Sequence, residues 1–408
     1  MKTRNFKARP APETALKIAM IGTRGVPAQY GGFETCVEEV GSRLAANGHR
    51  VVVYCRSARE DHPRPASHLG MELVHLPAWR RRTLETLSHT GLSAAHAVGA
   101  GFDAAIVFNA ANSLWLPVIR AAGVPVATHV DGLEWKRAKW GPSGKKFYRI
   151  AEALAVRWSD ALIADAAGIQ EYYRTEFAAE TQLITYGAPI LPRGRSNRLA
   201  ELRLEPQKYH LVVARFEPEN HVHTIVKGFT ASDAKLPLVV VGSAPYSDTY
   251  TGQIRRLGDQ RVRFLGGVWD QELLDQLYGN TAVYWHGHSV GGTNPSLLRA
   301  IGAGAATNAF DVNFNREVLG DAGLYFSTPA QVAALVADAE GGSAATAGRG
   351  REAQTRAALY DWEKVTDGYE TLCQGLAAGI FKRTANGRRV HQDAALRPWR
   401  GSGQQVAR

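Results

Sequence analysis

A chain of 408 residues has room for two domains at the usual ~100–200 residues each, and its 45% hydrophobic and 21% charged content suits folded units with large cores, excluding a disordered or fibrous chain. Cys36, Cys55 and Cys373 are odd in number and far apart, which excludes a disulfide framework or a zinc spacing and points to a reducing cytoplasm. The net charge of +10 favours an anionic partner; with no nucleic-acid motif present, nucleic acid ranks last behind anionic lipid and phosphorylated ligands.

Residues 1–16 are basic and Pro-containing but lack an apolar stretch, so they read as a disordered start and neither a secretion signal nor a membrane span. Lys17–Gly22 then reads as a buried strand, Phe33–Leu44 as an amphipathic helix and Arg50–Tyr54 as a second strand. Between the first two lies a glycine-containing loop, with Arg24, Gly31 and Gly32 as candidate ligand contacts. No G-x-G-x-x-G occurs in it, so simple dinucleotide binding has weak support. Strands at Met71–Leu76, Ala104–Phe108, Val124–His129, Ala161–Ala164 and Leu183–Tyr186, with a helical stretch from Leu84 to about Val98, complete an alternating pattern. That pattern predicts a parallel sheet covered on both faces over 17–190.

Gly187-Ala188-Pro189 breaks the pattern, and the polar, Arg-rich 191–207 reads as a linker. A second alternating series fills 208–359: strands at Tyr209–Arg215, Leu236–Gly242, Val262–Gly267 and Ala282–Gly287, and helices from Val222, over Glu272–Tyr278, Ala330–Ala339 and Gly348–Leu359. Within it His286–Glu317 stands out. A loop of small residues runs into Asn294 and Pro295, a capping residue and a proline at the first helical position. Leu297, Leu298 and Ile301 follow at helical spacing. Such a loop exposes backbone N–H groups at a positive helix end and suits phosphate; a tight turn before a core helix explains it equally well. Gly292, Thr293, Asn294 and Ser296 are the candidates there. A helix is expected within 360–381 and a disordered tail over 382–408.

Ligands of open parallel sheets sit at the carboxyl ends of strands. That rule gathers Thr23–Gly32, His129–Trp135, Arg215–Asn220 and His288–Ser296 at one cleft. His129 is read either as a satisfied buried imidazole or as a substrate-orienting group, and Asp131 either as an Asx turn before Gly132 or as a reacting carboxylate. Arg215 either holds a diphosphate or forms a salt bridge with Glu217 or Glu219. The cations and tryptophans of Trp135–Trp140, Lys145 and Lys146, and Trp79–Arg82, suit an anionic bilayer surface or a merely solvated basic face.

IGTRGVPAQYGGFETCVEEV, DGLEWKRAKWG at Asp131–Gly141 and HGHSVGGTNPSLL together resemble the rhamnosyltransferase-like branch of the retaining family 4 glycosyltransferases, over Lys17–Gly375. The resemblance implies a GT-B, α/β architecture: two Rossmann-like domains with parallel sheets facing across a cleft, the first on the acceptor side, the second binding a nucleotide-sugar donor, and the last helix crossing back to the first. It implies transfer of a sugar, rhamnose by the branch, to a glycan or polyprenyl-diphosphate-linked acceptor in cell-envelope or exopolysaccharide assembly. Neither metal nor cofactor is expected, and the place is the cytoplasm at the inner face of the plasma membrane. It puts His129 and Asp131 near the anomeric carbon and the acceptor, Arg215 on the diphosphate, Val268 against the base and Glu317 near sugar hydroxyls. Two positions depart from the family pattern: Asn220 replaces a diphosphate-binding lysine, with Arg24 or the helix start at Asn294 expected to compensate, and Arg299 replaces a ribose-binding glutamate. Those departures keep a non-catalytic sugar-nucleotide-binding homologue open as an alternative, beside a GT-B-type sugar-nucleotide epimerase.

Overall fold

Lys17–Ile21 (β1) has its last four residues buried, as a central strand covered on both faces requires. In the computed structural model, which describes residues 14–28, 31–57, 64–79, 84–130, 132–192, 194–242, 248–383 and 389–391, this strand centres an eight-stranded sheet. Its companions are Arg50–Arg56 (β2), Ser67–His68 (β3), Met71–Leu76 (β4), Ala104–Phe108 (β5), Val126–His129 (β6), Ala161–Ala164 (β7) and Gln182–Leu183 (β8). The order is β3-β4-β2-β1-β5-β6-β7-β8, with only the β3–β4 pair antiparallel. The helices of this part are Gly32–Ala46 (α1), Glu85–Ala97 (α2), Leu116–Ala121 (α3), Pro142–Trp158 (α4) and Ala167–Phe177 (α5).

The second sheet has six strands: His210–Val213 (β9), Leu238–Val241 (β10), Val262–Gly266 (β11), Val283–His286 (β12), Thr307–Phe310 (β13) and Gly323–Phe326 (β14). All pair in parallel in the order β11-β10-β9-β12-β13-β14. Its helices are Val222–Thr230 (α6), Asp248–Leu257 (α7), Gln271–Gly279 (α8), Pro295–Gly302 (α9), Asn313–Leu319 (α10), Pro329–Gly341 (α11) and Ser343–Ala357 (α12). One apolar core, around Phe229, Val240 and Trp285, fills one face; another, around Tyr209, Tyr278 and Ala300, fills the other.

The chain divides into two compact units, the described residues of Met1–Trp135, Gly141–Thr185 and Trp362–Arg408, and those of Lys136–Trp140 and Tyr186–Asp361. Trp362–Ala377 (α13) thus belongs to the first unit. It packs on α1, with Arg43 Nε on Glu363 at 2.8 Å and Tyr369 Oη beside Cys36 Sγ at 3.5 Å.

Several expectations need correction. Leu16 is buried and its N–H donates to His49 Nδ1 at 3.1 Å, so order begins before residue 17. The strand expected from Val124 starts at Val126, because Pro125 has no N–H to give a ladder. The strand expected over Leu183–Tyr186 is only Gln182–Leu183. The stretch 191–207 is no bare linker: Leu199–Leu202 makes a 3₁₀ turn, and Leu199 and Leu204 enter the second core beside Tyr209 and Leu211. The tail is not wholly disordered, since Phe381–Arg383 (β15) pairs antiparallel with Arg389–His391 (β16). The other expectations for 1–13 and 392–408 lie outside the described residues, as do those for Asp131 and Arg80–Arg82.

Candidate active site

Open parallel sheets make a crevice at the carboxyl edge where the strand order changes direction. The first sheet does so between β1 and β5, the second between β9 and β12.

In the first unit, Gly22 leaves β1 at φ +103°, and a Cβ there would stand 2.5 Å from the Phe108 carbonyl oxygen, so only glycine fits. Asn112 closes the corner, its Nδ2 donating to the carbonyls of Gly22 (3.2 Å) and Phe108 (2.7 Å). Two α1 carboxylates hold the next loop: Glu34 accepts from the exposed Arg24's N–H at 3.0 Å, and Glu38 from that of Ala28 at 2.7 Å. Gly31 and Gly32 stand at the start of this helix, and the Glu34 carboxylate lies where a Gly31 Cβ would go. An anion already occupies that helix end. A carboxylate at that helix end disfavours a second anion there and suits sugar hydroxyls.

His129 ends β6 and is 1% exposed, stacked on Phe108 (5.6 Å between centroids) and edge-on to Phe33 (5.1 Å). Burial lowers its pKa to about 3. It is a neutral ring and not a fixed cation. Its carbonyl accepts from the Asn109 N–H at 3.0 Å, tying the turn after β5 to β6.

In the second unit three loops lock together. Asn220, 1% exposed, donates from Nδ2 to the Arg215 carbonyl at 2.9 Å, closing the turn after β9. The Ser289 N–H (2.9 Å) and Oγ (3.0 Å) donate to the Glu219 carbonyl, and His221 Nε2 lies 2.9 Å from Ser289 Oγ while its ring stacks on Phe310 at 3.8 Å. Asn315 Nδ2 donates to the carbonyls of His288 (2.9 Å) and Phe310 (2.8 Å). A Cβ on Gly287 would meet the Asn220 carbonyl oxygen at 2.0 Å, which is why glycine follows β12.

At the start of α9, Asn294 caps as its residue type predicts: Oδ1 accepts from the Ser296 N–H at 3.0 Å and from its Oγ at 2.8 Å. Tyr284 donates to Ser296 Oγ at 3.2 Å. Gly292 is half-buried and Thr293 buried in the loop just before.

Charge concentrates beside this loop. Arg137 Nη1 lies 3.2 Å from Glu217 Oε2 and 3.9 Å from Glu219 Oε1, and Arg215 Nη1 is 3.6 Å from Glu217 Oε1. His286 and His288 stack at 4.4 Å, both buried. Burial pushes His286 down to about 3; it also lowers His288, helped by His286 and by the positive charges of Arg215 and Arg137. An edge with two guanidiniums and neutral imidazoles can hold anionic oxygens.

These placements bear on the candidates read from the sequence. Asn220, which brings no charge, fastens a turn with its amide. Arg215 does pair with Glu217. Arg137, read as part of a basic face, is only 13% exposed at its side chain and sits in this charge cluster; its cue in the sequence was the run of cations just after β6. Val268 packs on the second core beside the exposed Trp269. Arg299 is ion-paired with Asp275 on α8. Glu317 is in the latter half of α10, and its carbonyl accepts from Arg356 Nη2 at 2.9 Å. No thiol serves as nucleophile: burial pushes Cys36 and Cys373 up to about 12 and Cys55 up to about 11.

None of the curated proteins matches the chain. By structure it is similar to a sucrose-phosphate synthase from Thermosynechococcus elongatus, with TM-score 0.77 and 20% identity over 89% of this chain and 100% of that one. HepE of Anabaena in complex with UDP gives TM-score 0.68 and 18% identity over 88% and 100%. The trehalose-6-phosphate synthase OtsA gives TM-score 0.68 and 11% identity over 88% and 99%. Residues 31–187 match the model of the glycosyl transferase 4-like domain, and residues 195–340 that of the glycosyl transferases group 1. With those two domains in that order on two Rossmann-like sheets, the chain is a glycosyltransferase of the GT-B type.

Proposed function

We propose that the protein is a retaining, metal-independent transferase in which the second unit binds a nucleoside diphosphate sugar and the first presents the acceptor. The observation that carries this reading is the pair Arg215 and Arg137 beside the β9–β12 crevice, with the α9 N-terminus next to it. As the bond between anomeric carbon and diphosphate oxygen breaks, negative charge grows on the diphosphate, and fixed cations there lower the barrier. His129, neutral and ending β6, supplies a hydrogen bond to a sugar hydroxyl, and Asp131 assists at the acceptor. Gly292, Thr293 and Ser296 face the phosphates, Val268 the base, and Glu317 the sugar.

The rhamnosyltransferase-like stretches favour a deoxythymidine-linked rhamnose donor. Uridine donors are the competing choice, supported by the HepE structures with UDP and UDP-glucose. A glycan on a polyprenyl diphosphate, met at an anionic membrane surface during cell-envelope assembly, is the acceptor we favour, on the exposed Trp79 and the lysines of α4. No helix among the described residues is long and apolar enough to cross a membrane.

The test is incubation of the pure protein with uridine, deoxythymidine and guanosine diphosphate sugars, with and without lipid-linked acceptors. A new glycoside with the donor's anomeric configuration, seen by NMR, is the expected result. An isomerised donor without acceptor would make the protein an epimerase. Donor binding with no turnover across the acceptor panel would leave a binding protein.

A further inference from the structure

We propose that Arg137 is a second diphosphate-binding cation of the donor site, held ready beside Arg215 by Glu217, whose carboxylate the incoming diphosphate displaces. This rests on the nucleoside-diphosphate reading above. Glu217 divides its oxygens between two guanidiniums, Oε2 at 3.2 Å from Arg137 and Oε1 at 3.6 Å from Arg215. Elsewhere in the same unit arginines close on carboxylates at 2.6 Å: Arg198 on Asp270, Arg261 on Asp259 and Arg316 on Asp311. The shared carboxylate is thus loosely held by both partners.

Its surroundings fit a placeholder. Glu217 is 22% and Arg215 36% exposed at the side chain, so a ligand can reach them. Glu219 is buried, neither of its oxygens has a hydrogen-bond donor, and the nearer is 3.9 Å from Arg137. That carboxylate keeps Arg137 in place when Glu217 swings away. Both guanidiniums act on buried His288, which places their charge at one spot. A diphosphate carries more charge than a carboxylate and has oxygens enough to bridge two guanidinium forks, so the exchange favours the ligand. Asn220, fastened to the Arg215 carbonyl, leaves the second positive charge to Arg137.

The test is calorimetric titration of the full chain with UDP, dTDP and GDP, each beside its bare nucleoside. Arg137→Gln should weaken the preferred diphosphate ~10-fold or more while leaving the nucleoside unchanged. Arg137→Lys should recover most of the loss, and Glu217→Gln should tighten the diphosphate by removing its competitor. Diphosphate affinity unchanged in Arg137→Gln overturns the proposal. So does an equal loss of diphosphate and nucleoside in both Arg137 variants, which marks a structural role. A wild type that binds none of the three diphosphates fails the donor reading itself, a distinguishable result.

Discussion

Arg299 on α9 is ion-paired with Asp275 on α8, Nη1 against Oδ1. Read from sequence, the arginine stood at a ribose contact and lacked an acceptor. The pair shows what orients it: the guanidinium follows the carboxylate of the neighbouring helix, and that carboxylate is the acceptor next to it. Both side chains are partly exposed, so the pair contributes no more than about 1 kcal/mol. Arg299→Glu sets two carboxylates against each other and should cost about 1 kcal/mol of unfolding free energy by urea denaturation. Adding Asp275→Arg should restore it. A double variant as unstable as the sum of its parts would mean the two side chains do not interact in solution.

Gly287 offers a sharper test of how the crevice is built. Its missing Cβ leaves room for the Asn220 carbonyl, at 2.0 Å from where the Cβ would be. Gly287→Ala must push apart the turn after β9 and the loop after β12, at a cost of ~1–3 kcal/mol. Because that turn carries Arg215, nucleoside diphosphate binding should weaken along with stability. Gly341→Ala, where a Cβ meets nothing within 4 Å, serves as the control. Wild-type stability in Gly287→Ala would show that the two loops separate freely.

Strands were legible because runs such as AAIVF and LPLVVVG bury on both faces and leave little choice of structure. The α9 cap was legible because Asn294 and Pro295 act through their own backbone. Partnerships across the chain were not. Arg137 and Glu217 are 80 residues apart and Arg299 and Asp275 24 apart, and nothing local announces either pair. The 191–207 stretch misled for another reason: its arginines set the average polarity, while Leu199 and Leu204 alone carry the packing.

Burial sets the pH response. It holds His89 and His221 down at about 4, His129 and His286 at about 3, and His288 below its usual value as well. Below pH 6.5 the unfolded chain takes up protons that these rings refuse in the fold, so stability falls as pH falls from about 6.5 towards 4. Glu152 acts in the opposite sense. Burial raises it to about 7, so the fold keeps a proton that the unfolded chain loses above about pH 4.5, and stability declines as pH rises from there to 7. Burial lowers His223 too, and six rings against one carboxyl make net acid lability the expected result. Glu152→Gln, whose amide oxygen still accepts from Tyr172, should be more stable than wild type at pH 8 and level with it at pH 4. A urea midpoint that stays flat from pH 6.5 to 4.5 would contradict the neutral histidines.

The basic face of α4 tests the membrane reading on described residues. Lys145, Lys146 and Ile150 are exposed, and Lys146 and Ile150 are one turn apart, so a cation and an apolar side chain share one stripe. A merely solvated face would need no isoleucine there, whereas a bilayer surface attracts the lysines to anionic headgroups and takes the apolar side chain into the interface. Lys145→Gln with Lys146→Gln should weaken binding to phosphatidylserine-containing vesicles by about 1 kcal/mol per charge, roughly fivefold each, with the loss shrinking at high salt. Ile150→Ser should weaken binding at every salt concentration, because desolvation is not screened. Donor affinity should be unchanged in both variants, since none of the three residues is in the charge cluster around Arg215. A wild type that ignores anionic vesicles even at low salt would return this stripe to the solvated reading and remove the support for a membrane-borne acceptor.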